Sequence, residues 1–183
     1  MAHITLPEGL AGISGPLRQY PETGQHMTGL AQALLRGQSS LTPGEREIIA
    51  TYVSSLNECR FCTRSHAAAA ECLMGPESAV VGQVIQNVDQ AAITPKLRAL
   101  LAIAAKVQQG GRRVTSEDVA KARAEGADDK AIHDTVLIAA AFCMFNRYVD
   151  GLDTAQPDDP PFYGEMGKYL AEHGYGASTR STT

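Results

Sequence analysis

At 183 residues, with 16 Lys+Arg against 20 Asp+Glu, the chain is mildly acidic and has length for one domain with an ample core. It carries no basic cluster able to neutralise phosphates, which argues against a nucleic-acid partner. Its longest unbroken apolar run, Val136 to Phe145, falls far short of the roughly 20 residues of a bilayer span. The N-terminus lacks the charged-then-apolar order of a secretory signal, so the expected compartment is the cytoplasm.

Residues 1–24, with Pro7, Pro16, Pro21 and several glycines, read as an extended or irregular arm. Met27, Leu30, Ala31, Leu34 and Leu35 then fall at helical spacing over residues 22–36, and Gly37 with Ser39-Ser40 ends that helix. Thr42-Pro43-Gly44-Glu45 is a helix start, with a capping threonine, proline in the first turn and glutamate three after the cap. The helix it opens stops near Asn57, and another is expected from about Glu58 to Leu73, broken by Gly75-Pro76. Further helices are expected over 77–87, 95–108, 115–125, 130–150 and 162–173, with Thr94-Pro95 repeating the start signal. The helix over 130–150 is apolar almost all round between Val136 and Phe145, which marks a central position or a subunit contact. The tail after Gly174 reads as frayed. No segment alternates for long enough to be a strand, so the expected class is all-α. One domain over 1–183 is expected: a core of about 25–155, the arm 1–24, and a C-terminal helix and tail, 156–183.

The chemistry concentrates in Glu58-Cys59-Arg60-Phe61-Cys62-Thr63-Arg64-Ser65-His66. Cys62 and His66, four apart, stack on one helix face, while Cys59 sits one turn earlier, where the helix end favours an anion. Thiolate is the reactive form of cysteine, and structural disulfides are rare in the cytosol, so redox chemistry leads. If the helices on either side of Asn57 fold back as a hairpin, Glu47 lies ten residues before the bend and His66 nine after it. Both then stand roughly 14 Å from the bend and level with each other. Glu47 would orient His66, and His66 would take the proton of Cys62.

Other readings stay open. A Cys-x-x-Cys with a following histidine can ligate zinc, although a second ligand pair is missing. The cysteines could be core residues, against which the flanking Arg60 and Arg64 argue, and Glu47 could be a first-turn glutamate serving the helix dipole. Cys72 and Cys143, in apolar sequence, read as small core residues. Asn146, Arg147 and Asp150 either line a pocket near the thiols or cap and solvate a helix end. His133 and His173 read as surface residues.

The segments Leu41–Glu47 and Asn57–His66 resemble the alkylhydroperoxidase D-like branch of the carboxymuconolactone decarboxylase superfamily. Thr94–Leu101 and Phe145–Leu152 look like later segments of its peroxidase-related members, so the similarity covers roughly residues 25–155. The resemblance implies a compact helical bundle with helical hairpins, assembled as a trimer or hexamer. It implies that Glu47, Cys59, Cys62 and His66 form the catalytic core, with no cofactor and no metal. Cys62 would attack a hydroperoxide, Cys59 would resolve the sulfenic acid as a disulfide, and a thiol or dithiol partner protein would re-reduce the pair. Helix-end exposure alone would instead make Cys59 the thiol that meets an outside disulfide. One departure is visible: the best-characterised members carry a second histidine where this chain has Phe61, which implies weaker peroxidase turnover or a shift toward disulfide exchange. A metal-binding or structural helical oligomer, and a cofactorless decarboxylase of the carboxymuconolactone type, are the alternatives to a thiol peroxidase.

Overall fold

The computed structural model describes residues 2–176. Its elements are α1 (Ser14–Gln19), α2 (Pro21–Arg36), α3 (Pro43–Leu56), α4 (Arg60–Met74), α5 (Ala79–Asn87), α6 (Pro95–Gln109), α7 (Ser116–Ala124), α8 (Asp129–Gly151) and α9 (Pro160–His173), with single 3₁₀ turns at Gly75–Glu77 and Gly111–Arg113. The described residues contain no strand, and the protein is all-α.

The start signals fold as written. Thr42 Oγ1 accepts the Glu45 N–H at 3.2 Å while the Glu45 carboxylate accepts the Thr42 N–H at 2.8 Å, a closed capping box. Thr115 and Asp118 repeat that box at α7, and Thr94 caps α6 through the Leu97 N–H. Such a cap contributes about 1 kcal/mol. The apolar faces of the longer helices then meet in one core around Leu35, Ile48, Ile49, Leu100, Ile138 and Phe142.

α3 and α4 pack as a hairpin, α8 lies against α3 and α6, and α9 lies along α4. The α4–α9 approach is close because both surfaces are small. A Cβ on Gly167 would stand 2.5 Å from the Ala68 backbone, so the alanine run of α4 and this glycine set the spacing. The consequence is local: α9 brings Met166, Tyr169 and Leu170 over the second turn of α4.

Residues 2–13 form the irregular arm expected, but it stops there: α1 and the start of α2 occupy residues 14–24. Pro16 falls in the first turn of α1 and Pro21 opens α2, positions where the missing N–H costs no helical bond. Gly24 permits the tight α1–α2 turn, since a Cβ there would meet the Leu17 carbonyl oxygen at 2.3 Å. The chain end also differs: residues 174–176 dock against α2, while residues 177–183 of the expected frayed tail lie outside the described residues. Cys72 is exposed, contrary to the core position expected, whereas Cys143 is half-buried and packs against the edge of the core. The apolar stretch of α8 buries one face and leaves Leu137 and Met144 37% and 44% exposed. Among the described residues no helix is long and apolar enough to cross a membrane.

Candidate active site

The turn between α3 and α4 is held from both sides. Asn57 donates to Asn146 Oδ1 at 2.8 Å and accepts from Gln108 at 2.9 Å, and Asn146 donates to Ser54 Oγ at 3.1 Å. Glu58 takes the left-handed conformation, φ 59°, and reverses the chain. The Cys59 N–H then returns to the Ser54 carbonyl at 3.1 Å. Cys59 is thus the N-cap of α4, and the helix begins two residues later than the expected start at Glu58.

This places the two thiols unequally. Cys59 is sealed, 0% exposed, whereas Cys62, 4% exposed, forms part of the wall of a cavity of about 230 Å³. The exposure argued for Cys59 from its helix end is therefore overturned. Arg60 and Arg64 do not hold that end in water either, because they turn outward to Asp158 while Phe61 and Cys62 turn inward. The hydrogen bond with Cys62, then burial, then the charge on Cys62 push the Cys59 thiol well above its ordinary range. Cys59 is the partner that keeps its proton, contrary to the anion expected there from the helix dipole alone.

His66 lines the same cavity, together with Phe61, Phe142, Phe145 and Tyr175. Its Nδ1 lies 2.8 Å from Glu47 Oε2, so the hairpin brings the level pair together as the arithmetic required. Glu47 is fully buried and has two further donors on its other oxygen. Arg36 Nη2 and the Tyr175 hydroxyl each reach Oε1 at 2.7 Å. Burial pushes the Glu47 carboxyl up, but the hydrogen bond and charge of His66, the charge of Arg36 and the Tyr175 hydroxyl together hold it below its ordinary value. Glu47 is a carboxylate at neutral pH.

Proton bookkeeping then assigns the tautomer. The Tyr175 hydroxyl has one proton and gives it to Glu47, while its oxygen stands 3.1 Å from His66 Nδ1. Two acceptors therefore face Nδ1, and Nδ1 must carry the imidazole proton. The neutral ring is left with an unprotonated Nε2. Phe142 meets the ring edge-on at a centroid distance of 4.6 Å and fixes its plane. Glu47 thus holds the imidazole, and the imidazole lines the same apolar cavity as Cys62, which has Cys59 behind it.

Phe61, in the position between the cysteines, packs as wall. Its ring is tilted against Tyr163 at 6.0 Å, and the N-terminal arm lies directly on it. A Cβ on Gly12, where φ is +55°, would stand 2.0 Å from the Phe61 ring, so only glycine fits there.

Asn146, Arg147 and Asp150 do not line this cavity. Asn146 is buried but serves the α3–α4 turn, Arg147 is exposed and donates to the Cys143 carbonyl, and Asp150 is exposed and accepts from Gln156. His133 is exposed beside Asp134, and His173 stacks on Tyr169 at the surface. Among the described residues no group of three or more His, Cys, Asp or Glu side chains is arranged to hold a metal ion. Arg36 and Tyr175 were not singled out in the sequence. Arg36 there is an ordinary last-turn base, and Tyr175 lies 128 positions from the carboxylate it touches.

Fold and site together define an all-helical protein with a paired-thiol, imidazole and carboxylate cluster at an apolar cavity. The carboxymuconolactone decarboxylase family matches residues 21–73, the α2–α4 segment that contains Glu47, Cys59, Cys62 and His66. The chain is similar over 87% of its length to the alkylhydroperoxidase AhpD core of an uncharacterized peroxidase-related protein from Ralstonia eutropha JMP134, covering 82% of that chain at 28% identity with a TM-score of 0.77. It is similar over 82% of its length to an uncharacterized peroxidase-related protein from Silicibacter sp. TM1040, covering 78% of that chain at 27% identity with a TM-score of 0.74. No curated protein matches it. The family match over α2–α4 and the likeness to these two structures support the resemblance to the alkylhydroperoxidase D-like branch of the carboxymuconolactone decarboxylase superfamily.

Proposed function

We propose that the protein is a thiol-dependent peroxidase acting on organic hydroperoxides through Cys62 and Cys59. The observation that carries the reading is the asymmetry of the pair: Cys62 shares the cavity with His66, and Cys59 is sealed behind it. The peroxidase-related neighbours support the class of activity.

In this reading His66 Nε2 accepts the Cys62 proton, and Glu47 compensates the positive charge that develops on the ring. The Cys62 thiolate attacks the terminal peroxide oxygen. An S–O bond forms, the O–O bond breaks, and the alkoxide leaves with the proton held by the imidazole as an alcohol. Cys59, still a thiol, gives up its proton as its sulfur displaces hydroxide from the Cys62 sulfenic acid. A Cys59–Cys62 disulfide and water result. A dithiol reductant returns both thiols and is itself oxidised to a disulfide. Phe61 takes no part in proton transfer and instead makes the cavity more apolar. We place the protein in the cytoplasm as a homo-oligomer, trimer or hexamer, with the exposed Leu137 and Met144 of α8 available for a subunit contact.

The test is stopped-flow mixing of the reduced protein with cumene hydroperoxide, with thiols counted before and after. Loss of both Cys59 and Cys62 thiols much faster than a free thiol reacts, and absent in Cys62→Ser, is expected. Reaction no faster than a free thiol would remove this protein from peroxide chemistry.

A further inference from the structure

The cavity contains a tyrosine that the chemistry above does not require. Tyr175 follows α9 and is pinned to one face of α2. Its N–H and that of Gly176 both donate to Gln32 Oε1, at 2.7 and 3.2 Å. Gly174 makes the turn at φ +67°, with Gln32 Oε1 2.6 Å from where a Cβ would be. One helical turn along, the Arg36 guanidinium lies 5.2 Å from the centroid of the Tyr175 ring. The same ring stacks on His66 at 5.9 Å with an interplanar angle of 16°. Burial, then the charge and hydrogen bond of Glu47, keep the phenol well above its ordinary range, so it remains a donor.

The ionisable groups around His66 are few. α3 contributes Glu47, α2 contributes Arg36, α9 and the segment after it contribute Tyr169 and Tyr175, and α4 itself contributes Cys62 with Cys59 behind it. α5 has no ionisable side chain, and α8 presents Phe142 and Phe145. Tyr175 is the group that touches both the carboxylate and the imidazole.

We propose, resting on the thiol-peroxidase reading, that Tyr175 is a positioning residue: it anchors Glu47 Oε1 and stacks on the imidazole. Oε2 is thereby fixed as the carboxylate acceptor for His66 Nδ1–H, and Nε2 stays free to take the Cys62 proton. Without the hydroxyl, Oε1 keeps only Arg36, and the carboxylate can rotate to offer either oxygen to the ring.

Two readouts test this in the full chain. The first needs no peroxide: the His66 Nδ1–H proton, observed by NMR with ¹⁵N-labelled histidine, gives a downfield resonance protected from solvent exchange. In Tyr175→Phe, which keeps the stacked ring, that resonance shifts and loses protection. The second is the rate of Cys62 oxidation by cumene hydroperoxide, which falls about tenfold in Tyr175→Phe, the worth of one hydrogen bond to a charged group. Gln32→Ala, which frees the strap but leaves the hydroxyl, changes both readouts in the same direction and by less. It carries the test if Tyr175→Phe does not fold. An unchanged resonance and an unchanged rate in a folded Tyr175→Phe would overturn the proposal. A shifted resonance in a protein whose wild type does not react with peroxide would overturn the peroxidase reading instead, and with it the catalytic meaning of the tyrosine.

Discussion

Glu47→Gln is the most informative single substitution, because it preserves shape and removes one acceptor. The wild-type carboxylate accepts from Arg36 and Tyr175 at 2.7 Å each and from His66 at 2.8 Å, and it is 0% exposed. Glutamine has one oxygen for these three donors. If that oxygen faces Arg36 and Tyr175, its amide group meets His66 Nδ1–H donor to donor. The imidazole must then move its proton to Nε2, the atom required as base. If the amide is flipped, Arg36 and Tyr175 lose their acceptor instead. At least one charge-assisted bond is lost at a fully buried group, which costs about 2–4 kcal/mol. For a chain of this size that corresponds to a fall in Tm of roughly 5–12 °C. A base held in the wrong tautomer loses on the order of 10²–10⁴ in rate. The assay is stopped-flow thiol oxidation by cumene hydroperoxide beside a thermal melt of the same samples. A folded Glu47→Gln that oxidises within a few-fold of wild type would refute the reasoning.

The same carboxylate sets an acid dependence. Its folded-state pKa lies below the ordinary 4.5, so its stabilisation is present above that value and is lost as pH falls through the lower folded one. Chemical denaturation at a series of pH values below 4.5 should show a steeper loss for wild type than for Glu47→Gln. Gly167→Ala should cost about 1–3 kcal/mol by forcing α9 off α4, since its Cβ would lie 2.5 Å from the Ala68 backbone. It should also slow oxidation by moving Met166 and Leu170, checked by melting and by the peroxide assay. Asn146→Ala should destabilise by about 1–3 kcal/mol, because it removes the acceptor of the half-buried Asn57 amide and the donor to the buried Ser54 hydroxyl. In urea its midpoint should fall with an unchanged m-value. Cys72, exposed and outside the cavity lining, should be alkylated readily by iodoacetamide, and Cys72→Ser should leave peroxide oxidation unchanged.

Much of the fold was legible because its signals are local. Caps such as Thr42-Pro43-Gly44-Glu45 and Thr94-Pro95 act within one turn, and the α3–α4 hairpin follows from two helices and a short bend. Helical arithmetic across that bend was enough to pair Glu47 with His66. What was not legible depends on approach between distant segments. Proline and glycine density in residues 1–24 suggests an irregular arm, yet Pro16 and Pro21 occupy first turns where proline is tolerated, and Gly24 serves a close contact. Tyr175 sits in sequence that resembles a frayed end, and its place comes from contacts with the distant Gln32, Arg36, Glu47 and His66. Asn146 was singled out for its polarity beside an apolar helix. It is buried, but its partners are Asn57 and Ser54 at the α3–α4 turn and not the thiols. The inequality of Cys59 and Cys62 arises from which side of the first turn faces α9 and the arm, and spacing does not encode that.

The central claim is that Cys62 meets the peroxide and Cys59 resolves it. Its most direct measurement is mass-spectrometric mapping of reduced Cys59→Ser after one equivalent of cumene hydroperoxide in the presence of dimedone, with wild type treated in parallel. Dimedone is expected on Cys62 in the variant, and a Cys59–Cys62 disulfide in wild type. Label on Cys72 or Cys143, or none on Cys62, would contradict it.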